Sequence, residues 1–188
     1  LVLSCLFGCV EPMLHVVSLL SCRSIVASSS QRDETKAKAR SAFLFGQSDL
    51  LSYANLFATW LAMRHERRPM KEVRTFCDVH GLSMQALQDV DMTRITLLRQ
   101  LEELGLIGRD YLISYRSQGP AWPSKISTLP LDTNCGNINL LRALLLASLW
   151  PSIARVDQPT AKYNASTSGA VLKEAQAKEL HYYDESDG

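Results

Sequence analysis

Residues Phe76–Ile107, FCDVHGLSMQALQDVDMTRITLLRQLEELGLI, read as the end of a short helix, a turn and one long helix. Met84, Leu87, Val90, Leu97, Leu101 and Leu104 recur at steps of three and four, with one seven-residue gap from Val90 to Leu97. Such spacing marks one face of an α-helix. Ser83 stands where an N-cap hydroxyl can accept a free amide N–H of the first turn. Gly105 ends the pattern, because glycine takes the left-handed conformation that closes many helices. Leu106 can then fold back on the last turn. The opposite face carries Gln88, Asp91, Arg94, Arg99 and Glu102. A long helix with one apolar stripe needs other helices to cover it.

The residues before it have the patterns to supply them. Residues 1–10 look like the tail of a helix, and Pro12 suits the first turn of a second that runs to about Cys22. The run LVLSCLFGCVEPMLHVVSLL is long enough to cross a bilayer, but Glu11, Pro12 and His15 in its middle are each costly there. Two buried helices broken at Glu11–Pro12 are the better reading. No basic segment precedes the run and no small-residue cleavage site follows it, which disfavours a signal peptide. Leu1 lies inside this apolar run, which suggests a fragment or a lost start. Arg23–Ser30 reads as a serine-rich loop, and Ser30 with Asp33 resembles a capping box for a charged helix ending near Gly46. Ser48 or Asp49 caps the next helix. Its apolar face is Leu50, Leu51, Ala54, Phe57, Ala58 and Leu61, with Tyr53 and Trp60 at the edges. Pro69 begins another short helix after the basic stretch Arg64–Lys71.

Beyond the long helix the periods fail. Residues 108–136 mix Gly, Pro, Ser and Trp with single apolar residues and read as a surface loop or linker. Residues 137–149, NINLLRALLLASL, form a helix apolar almost all round, expected to be buried on most sides and ended by Pro151. Ile153–Val156 and Leu180–Tyr183 have strand composition, separated by a Ser/Thr/Gly loop. The last residues, 184–188, look like a hairpin turn. The expected organisation is a helical domain over 1–107, a loop or linker over 108–136, and a helix with a truncated β segment over 137–188.

Composition excludes several classes. The chain has 188 residues and a net charge of +1, so polyanion binding must come from local patches. The five cysteines, Cys5, Cys9, Cys22, Cys77 and Cys135, are odd in number and irregularly spaced, and read as reduced, mostly buried residues. There is no G-x-x-x-x-G-K-[ST], G-x-S-x-G or H-E-x-x-H sequence. The four histidines, His15, His65, His80 and His181, show no spacing suited to a metal or a triad. The residues alone describe a helical bundle with no catalytic constellation and no metal site.

The ordered set of short motifs resembles the helicase-associated, ratchet-like C-terminal region of DEAH-box (DExH) RNA helicases. GCVEPMLHVVSLLSCRSIV is similar to that family's Gly-Cys-x-[Asp/Glu]-Pro turn with its following helix, and Arg32–Phe43 to the charged helix after it. Ser48-Asp49-Leu50-Leu51 with Asn55, Phe57 and Trp60 looks like the pattern G-D-H-L…N…Y…W. Phe76-Cys77 with Leu82, Ser83 and Leu87 looks like F-C…N-F-L-S…L. Residues 137–156 look like the helix leading into the OB-fold, and the segment from Ala161 like the OB-fold's opening. Leu50 departs from the family's usual His, and His80-Gly81 from its Asn-Phe pair, so no role is carried to those positions.

The resemblance implies a mainly α ratchet domain followed by a truncated OB-fold-like segment. It implies one wall of a channel for single-stranded RNA, packed on RecA-like motor domains that use ATP and Mg2+ and are not encoded in this stretch. It also implies an intracellular protein, cytoplasmic or nuclear, with no membrane association. The chain alone is expected to lack ATPase activity. On this view Arg64, Arg67, Arg68, Lys71 and Arg74 form an RNA-facing patch, since cations along a groove bind phosphates without regard to sequence. They suit a solvated helix junction equally. Ser83, Arg94 and Arg99 could meet phosphate at the start and along the polar face of the long helix, though a simple cap also explains Ser83. Tyr53, Phe57 and Trp60 sit at helical spacing with leucines and read as core. Tyr182 and Tyr183 suit base stacking or barrel filling alike. A non-catalytic helical protein-interaction module is the alternative function.

Overall fold

A computed structural model describes residues 1–124 and 127–153 and, beyond them, the backbone of four short strands. Eight helices are described: α1 (Val2–Leu6), α2 (Val10–Leu20), α3 (Glu34–Ser41), α4 (Asp49–His65), α5 (Met70–His80), α6 (Met84–Glu103), α7 (Arg109–Gln118) and α8 (Ile138–Leu149). Contacts divide the chain into Leu1–Leu144 and Leu145–Gly188.

The first unit is arranged along α6. Its N-terminal half puts Ala86, Leu87 and Val90 into one core with Leu56, Phe57 and Trp60 of α4, Val73 and Cys77 of α5, and Ile25 and Val26. Its C-terminal half puts Leu98 and Leu101 into another, with Val10 and Leu14 of α2 and Tyr111, Leu112 and Tyr115 of α7. The seven-residue gap in the sequence pattern falls between the two. Leu87 and Val90 are fully buried, and each such side chain contributes about 1.5–3 kcal/mol through burial. Leu98 joins the stripe as a buried member, Leu97 packs against the same core only half-buried, and Leu104 is 71% exposed. The change comes from the added core, which draws on the face beside the one the sequence pattern marks.

The ends of these helices follow from single residues. The Ser83 hydroxyl accepts the Ala86 N–H at 3.3 Å, so it caps α6. At the other end the Leu106 N–H donates to the Leu101 carbonyl at 2.9 Å, the fold-back bond of a glycine-ended helix. Gly81 ends α5 at φ +64, and a Cβ there would lie 2.5 Å from the Ser30 Cβ. This close approach belongs to a short tie between segments: the Ser83 N–H donates to the Ile25 carbonyl, and the Ala27 N–H to the Gly81 carbonyl. The serine-rich stretch is therefore held against the start of α6. Ser48 caps α4 through the Leu51 N–H.

Several local expectations need correction. The break in the apolar N-terminal run falls at Phe7–Cys9, and Glu11 and Pro12 lie in the first turn of α2. Nearly every side of α2 is buried, because it packs against both α4 and α6. Its eleven residues reach only about 17 Å, and among the described residues no helix is long and apolar enough to cross a membrane. Asp33, not Ser30, caps α3 by accepting the Lys36 N–H, and that helix stops at Ser41. Four of the cysteines are buried and all five are free.

The largest correction concerns residues 108–136. They contain α7 and a short 3-10 turn at Pro130–Asp132. Tyr111, Leu112, Tyr115, Trp122, Leu129, Asp132 and Cys135 are all buried. The segment completes the second core and is not a surface linker. On α8, Leu141, Leu144 and Leu145 are buried, whereas Leu146 is more than half exposed, as is Trp150 just beyond the helix. Burial on most sides is thus not what that helix has.

In the second unit β1 (Arg155–Asp157) pairs antiparallel with β4 (His181–Tyr183), with Val156 opposite Tyr182. A hairpin of β2 (Lys162–Ser166) and β3 (Gly169–Lys173) occupies part of the stretch read as loop. β1 overlaps the stretch Ile153–Val156 at Arg155 and Val156, and β4 overlaps Leu180–Tyr183 at His181–Tyr183. The turn expected over 184–188 and the side chains of Tyr182 and Tyr183 lie outside the described residues.

Candidate nucleic-acid interface

Arg94 occupies the gap between the two cores of α6. Its Nε and Nη2 donate to the Asp91 Oδ1 at 3.0 and 2.6 Å. Its Nη1 donates to the Tyr115 hydroxyl at 3.2 Å, and the guanidinium sits 5.7 Å from that ring's centre. The side chain is 13% exposed. Burial works against its charge, but Tyr115 and Asp91 outweigh that and raise its pKa. The guanidinium therefore stays charged and fixes α7 against α6. Behind Tyr115, its hydroxyl lies 3.5 Å from His15 Nε2. Complete burial, with Arg94 nearby, lowers the His15 pKa to about 3, so the imidazole is neutral.

In front of Arg94 a cleft of about 460 Å³ opens between α4, α6 and α7. Arg64, Arg94, Arg99 and Arg116 line it, with His65, Asp91 and the apolar side chains of Leu61, Ile95, Leu98 and Pro120. Arg64 lies over the Trp60 ring at 5.4 Å. Gly119 closes the floor at φ +72, and a Cβ there would lie 2.5 Å from the His65 ring. Only glycine lets the end of α7 pass that close to the end of α4. Arg64, Arg99 and Arg116 are exposed. Among the described residues none of the three is within ion-pair distance of a carboxylate. The one acidic residue in the lining, Asp91, is committed to Arg94.

The other residues singled out in the sequence lie elsewhere. Arg67, Arg68, Lys71 and Arg74 are exposed around the α4–α5 junction and do not line the cleft. Arg68 is already paired with Glu66 at 2.9 Å and Glu72 at 3.8 Å. Ser83 is at the far end of α6, about 16 Å along the helix from Arg94. Its hydroxyl and its own N–H are both engaged within the protein. Phe57 and Trp60 are buried, and Tyr53 is 40% exposed. Sequence reasoning missed Tyr115 and Arg116. The signal available was the short helical step Tyr111, Leu112, Tyr115, hidden among the glycines and prolines around it.

A second cluster of polar groups holds the α7 region in place. Asp132 accepts from the Glu11 backbone N–H at 2.8 Å, the Tyr111 hydroxyl at 2.7 Å and the Cys135 thiol at 3.3 Å. The Glu11 carboxyl accepts from the Ala121 and Trp122 N–H groups at 2.8 and 3.2 Å. Burial, with Asp132 adding to it, pushes the Glu11 pKa up to about 8. A buried pair of carboxyls can serve acid–base chemistry. These two are 1% and 2% exposed, however, and their bonds tie α2 to residues 121–132 and draw Tyr111 and Cys135 onto Asp132. Their role is that of a latch.

Comparison with known proteins agrees with this architecture. Residues 1–53 match the helicase-associated domain (HA2), ratchet-like. The chain is 34% identical over 186 residues to a DEAH-box ATP-dependent helicase of Mycosarcoma maydis, covering 98% of the chain and 11% of that protein. It is 25% identical over 174 residues to an ATP-dependent RNA helicase of Mus musculus, covering 91% of the chain and 12% of the relative. For an ATP-dependent RNA helicase of Saccharomyces cerevisiae the identity is 24% over 187 residues, covering 100% and 12%. The chain thus spans about a tenth of the length of the curated relatives it matches.

Proposed function

We propose that this chain is the ratchet-like helical part of an ATP-dependent RNA helicase of the DEAH-box type, and that it forms one wall of the channel for single-stranded RNA. The reading is supported by similarity to such helicases along almost the whole chain, together with the HA2 match over residues 1–53. The basic cleft between α4, α6 and α7 is the observation that carries the RNA-facing role. Guanidiniums along a groove neutralise backbone phosphates and release their counterions, which gives affinity without sequence preference. Lys71, Arg74 and the other exposed cations of the α4–α5 junction extend the positive surface on this reading.

ATP and Mg2+ belong to the RecA-like motor domains of such a helicase. The present sequence contains no phosphate-cradling G-x-x-x-x-G-K-[ST] loop. Among the described residues no three His, Cys, Asp or Glu side chains are grouped to hold a metal. On this reading hydrolysis belongs to the motor domains, and the chain alone should turn over no ATP. The partners are single-stranded RNA and the motor domains, in an intracellular setting, cytoplasmic or nuclear. The segment after α8 leads into an OB-fold on the same reading.

The test is binding of a fluorescent oligouridylate, followed by anisotropy across a salt series. The logarithm of affinity should fall linearly with the logarithm of salt concentration. Binding that ignores salt, or no binding, would overturn the RNA-wall reading. A second reading, a non-catalytic protein-interaction module, is favoured by the exposed apolar residues Val2, Leu6 and Phe7 at α1. It predicts salt-insensitive association with a protein and no affinity for RNA.

A further inference from the structure

We infer that the cleft between α4, α6 and α7 seats one nucleotide of the bound strand, with its phosphate held by Arg64, Arg99 and Arg116. The inference rests on the RNA-wall reading and deepens it, because it assigns the contact to a site where the first residue of the basic stretch, Arg64, meets residues of α6 and α7. Three observations carry it. Three exposed guanidiniums from three different helices converge on one cleft. Among the described residues they have no carboxylate partner. The fourth, Arg94, is locked to Asp91 and Tyr115, so the only acidic residue in the lining is already neutralised.

The shape fits the same ligand. A volume of about 460 Å³ is in the range of small-molecule sites and is large enough for a single nucleotide unit. Ile95 and Pro120 offer an apolar wall to a ribose or base face, and the guanidinium forks offer paired N–H donors to phosphate oxygens. None of these contacts reads a base edge, so recognition is of the backbone. Arg94 is a positioning residue: through the Tyr115 hydroxyl it sets α7, and with it Arg116, at the cleft's edge.

The experiment compares two charge-matched double variants of the full chain binding a fluorescent oligouridylate. R99Q/R116Q removes two cations from the cleft, and R32Q/K38Q removes two exposed cations near α3. All four side chains are on the surface, and equal thermal midpoints will check that folding is intact. The cleft variant should bind about tenfold more weakly and lose about 1.4 from the salt slope, while the α3 variant changes affinity less than threefold. Equal losses from both variants would overturn the seat and leave RNA binding as a diffuse property of the surface. A parent chain that binds no oligouridylate at any salt would overturn the RNA-wall reading and the seat together.

Discussion

The two halves of α6 are stabilised in different ways. The N-terminal half is covered by neighbours in sequence, α4 and α5, with apolar side chains and one tie through Ile25–Ala27. The C-terminal half is covered by α2 and by α7, which a latch of buried polar groups holds in place. Local apolar packing needs only the right side chains at the right period. A covering assembled from residues more than a hundred positions apart, such as Glu11 and Asp132, needs its polar groups satisfied as well. The binding chemistry falls at the seam, where Arg94 stands between the two.

The sharpest contrast should come from core truncation. Leu87→Ala in the first core should cost about 2–5 kcal/mol in urea unfolding, because the cavity it leaves lies among fully buried side chains. A loss below about 1 kcal/mol would mean that this half is not tightly packed. Asp132→Ala acts on the other half. It strands the Tyr111 hydroxyl and the Glu11 N–H without an acceptor, at about 2–4 kcal/mol. Hydrogen exchange should show the loss confined to α7 and its contacts, with α4 and α5 still protected. Loss spread evenly over both halves would contradict the distinction.

Arg94→Lys keeps the charge but gives up the fork to Asp91 and the bond to Tyr115. It should lower stability by about 1–2 kcal/mol and weaken RNA binding by releasing Arg116. Unchanged binding in a variant that is destabilised would separate Arg94 from the cleft's function.

The pH dependence distinguishes the latch from the rest. The folded protein keeps a proton on Glu11 up to about pH 8, whereas the unfolded chain releases it near 4.5. The folded state binds more protons through that window, so stability falls as pH rises from 4.5 to 8. His15 works the other way: its lowered pKa makes stability fall as pH drops from 6.5 towards 3. Between pH 6.5 and 8 only the Glu11 effect remains of the two, and Glu11→Gln should flatten the decline there. An unchanged slope in that variant would remove Glu11 as its source. The smallest effect belongs to Arg116→Gln, which should alter stability by less than about 0.5 kcal/mol while weakening RNA binding.

Much of the first half was legible in the sequence. The period of α6, its cap at Ser83, its stop at Gly105 and the cap at Ser48 are local signals, and local signals survive packing. Residues 108–136 were not legible. Their helix is short, and its apolar residues make sense only against the core that α6 forms with α2, which lies far away in the chain. The same holds for the site. Arg94 and Arg99 could be picked from the polar face of α6, and Arg64 from the basic stretch. That Arg68 is spent on Glu66 and Glu72, and that Arg116 joins the cleft, depends on how helices meet.

Photocrosslinking addresses the central claim most directly. An oligouridylate carrying 4-thiouridine would be irradiated on the full chain and the attached peptides mapped. The account predicts attachment within residues 94–99 of α6 and 115–120 at the end of α7. Attachment confined to residues 67–80, or none at all, would contradict it.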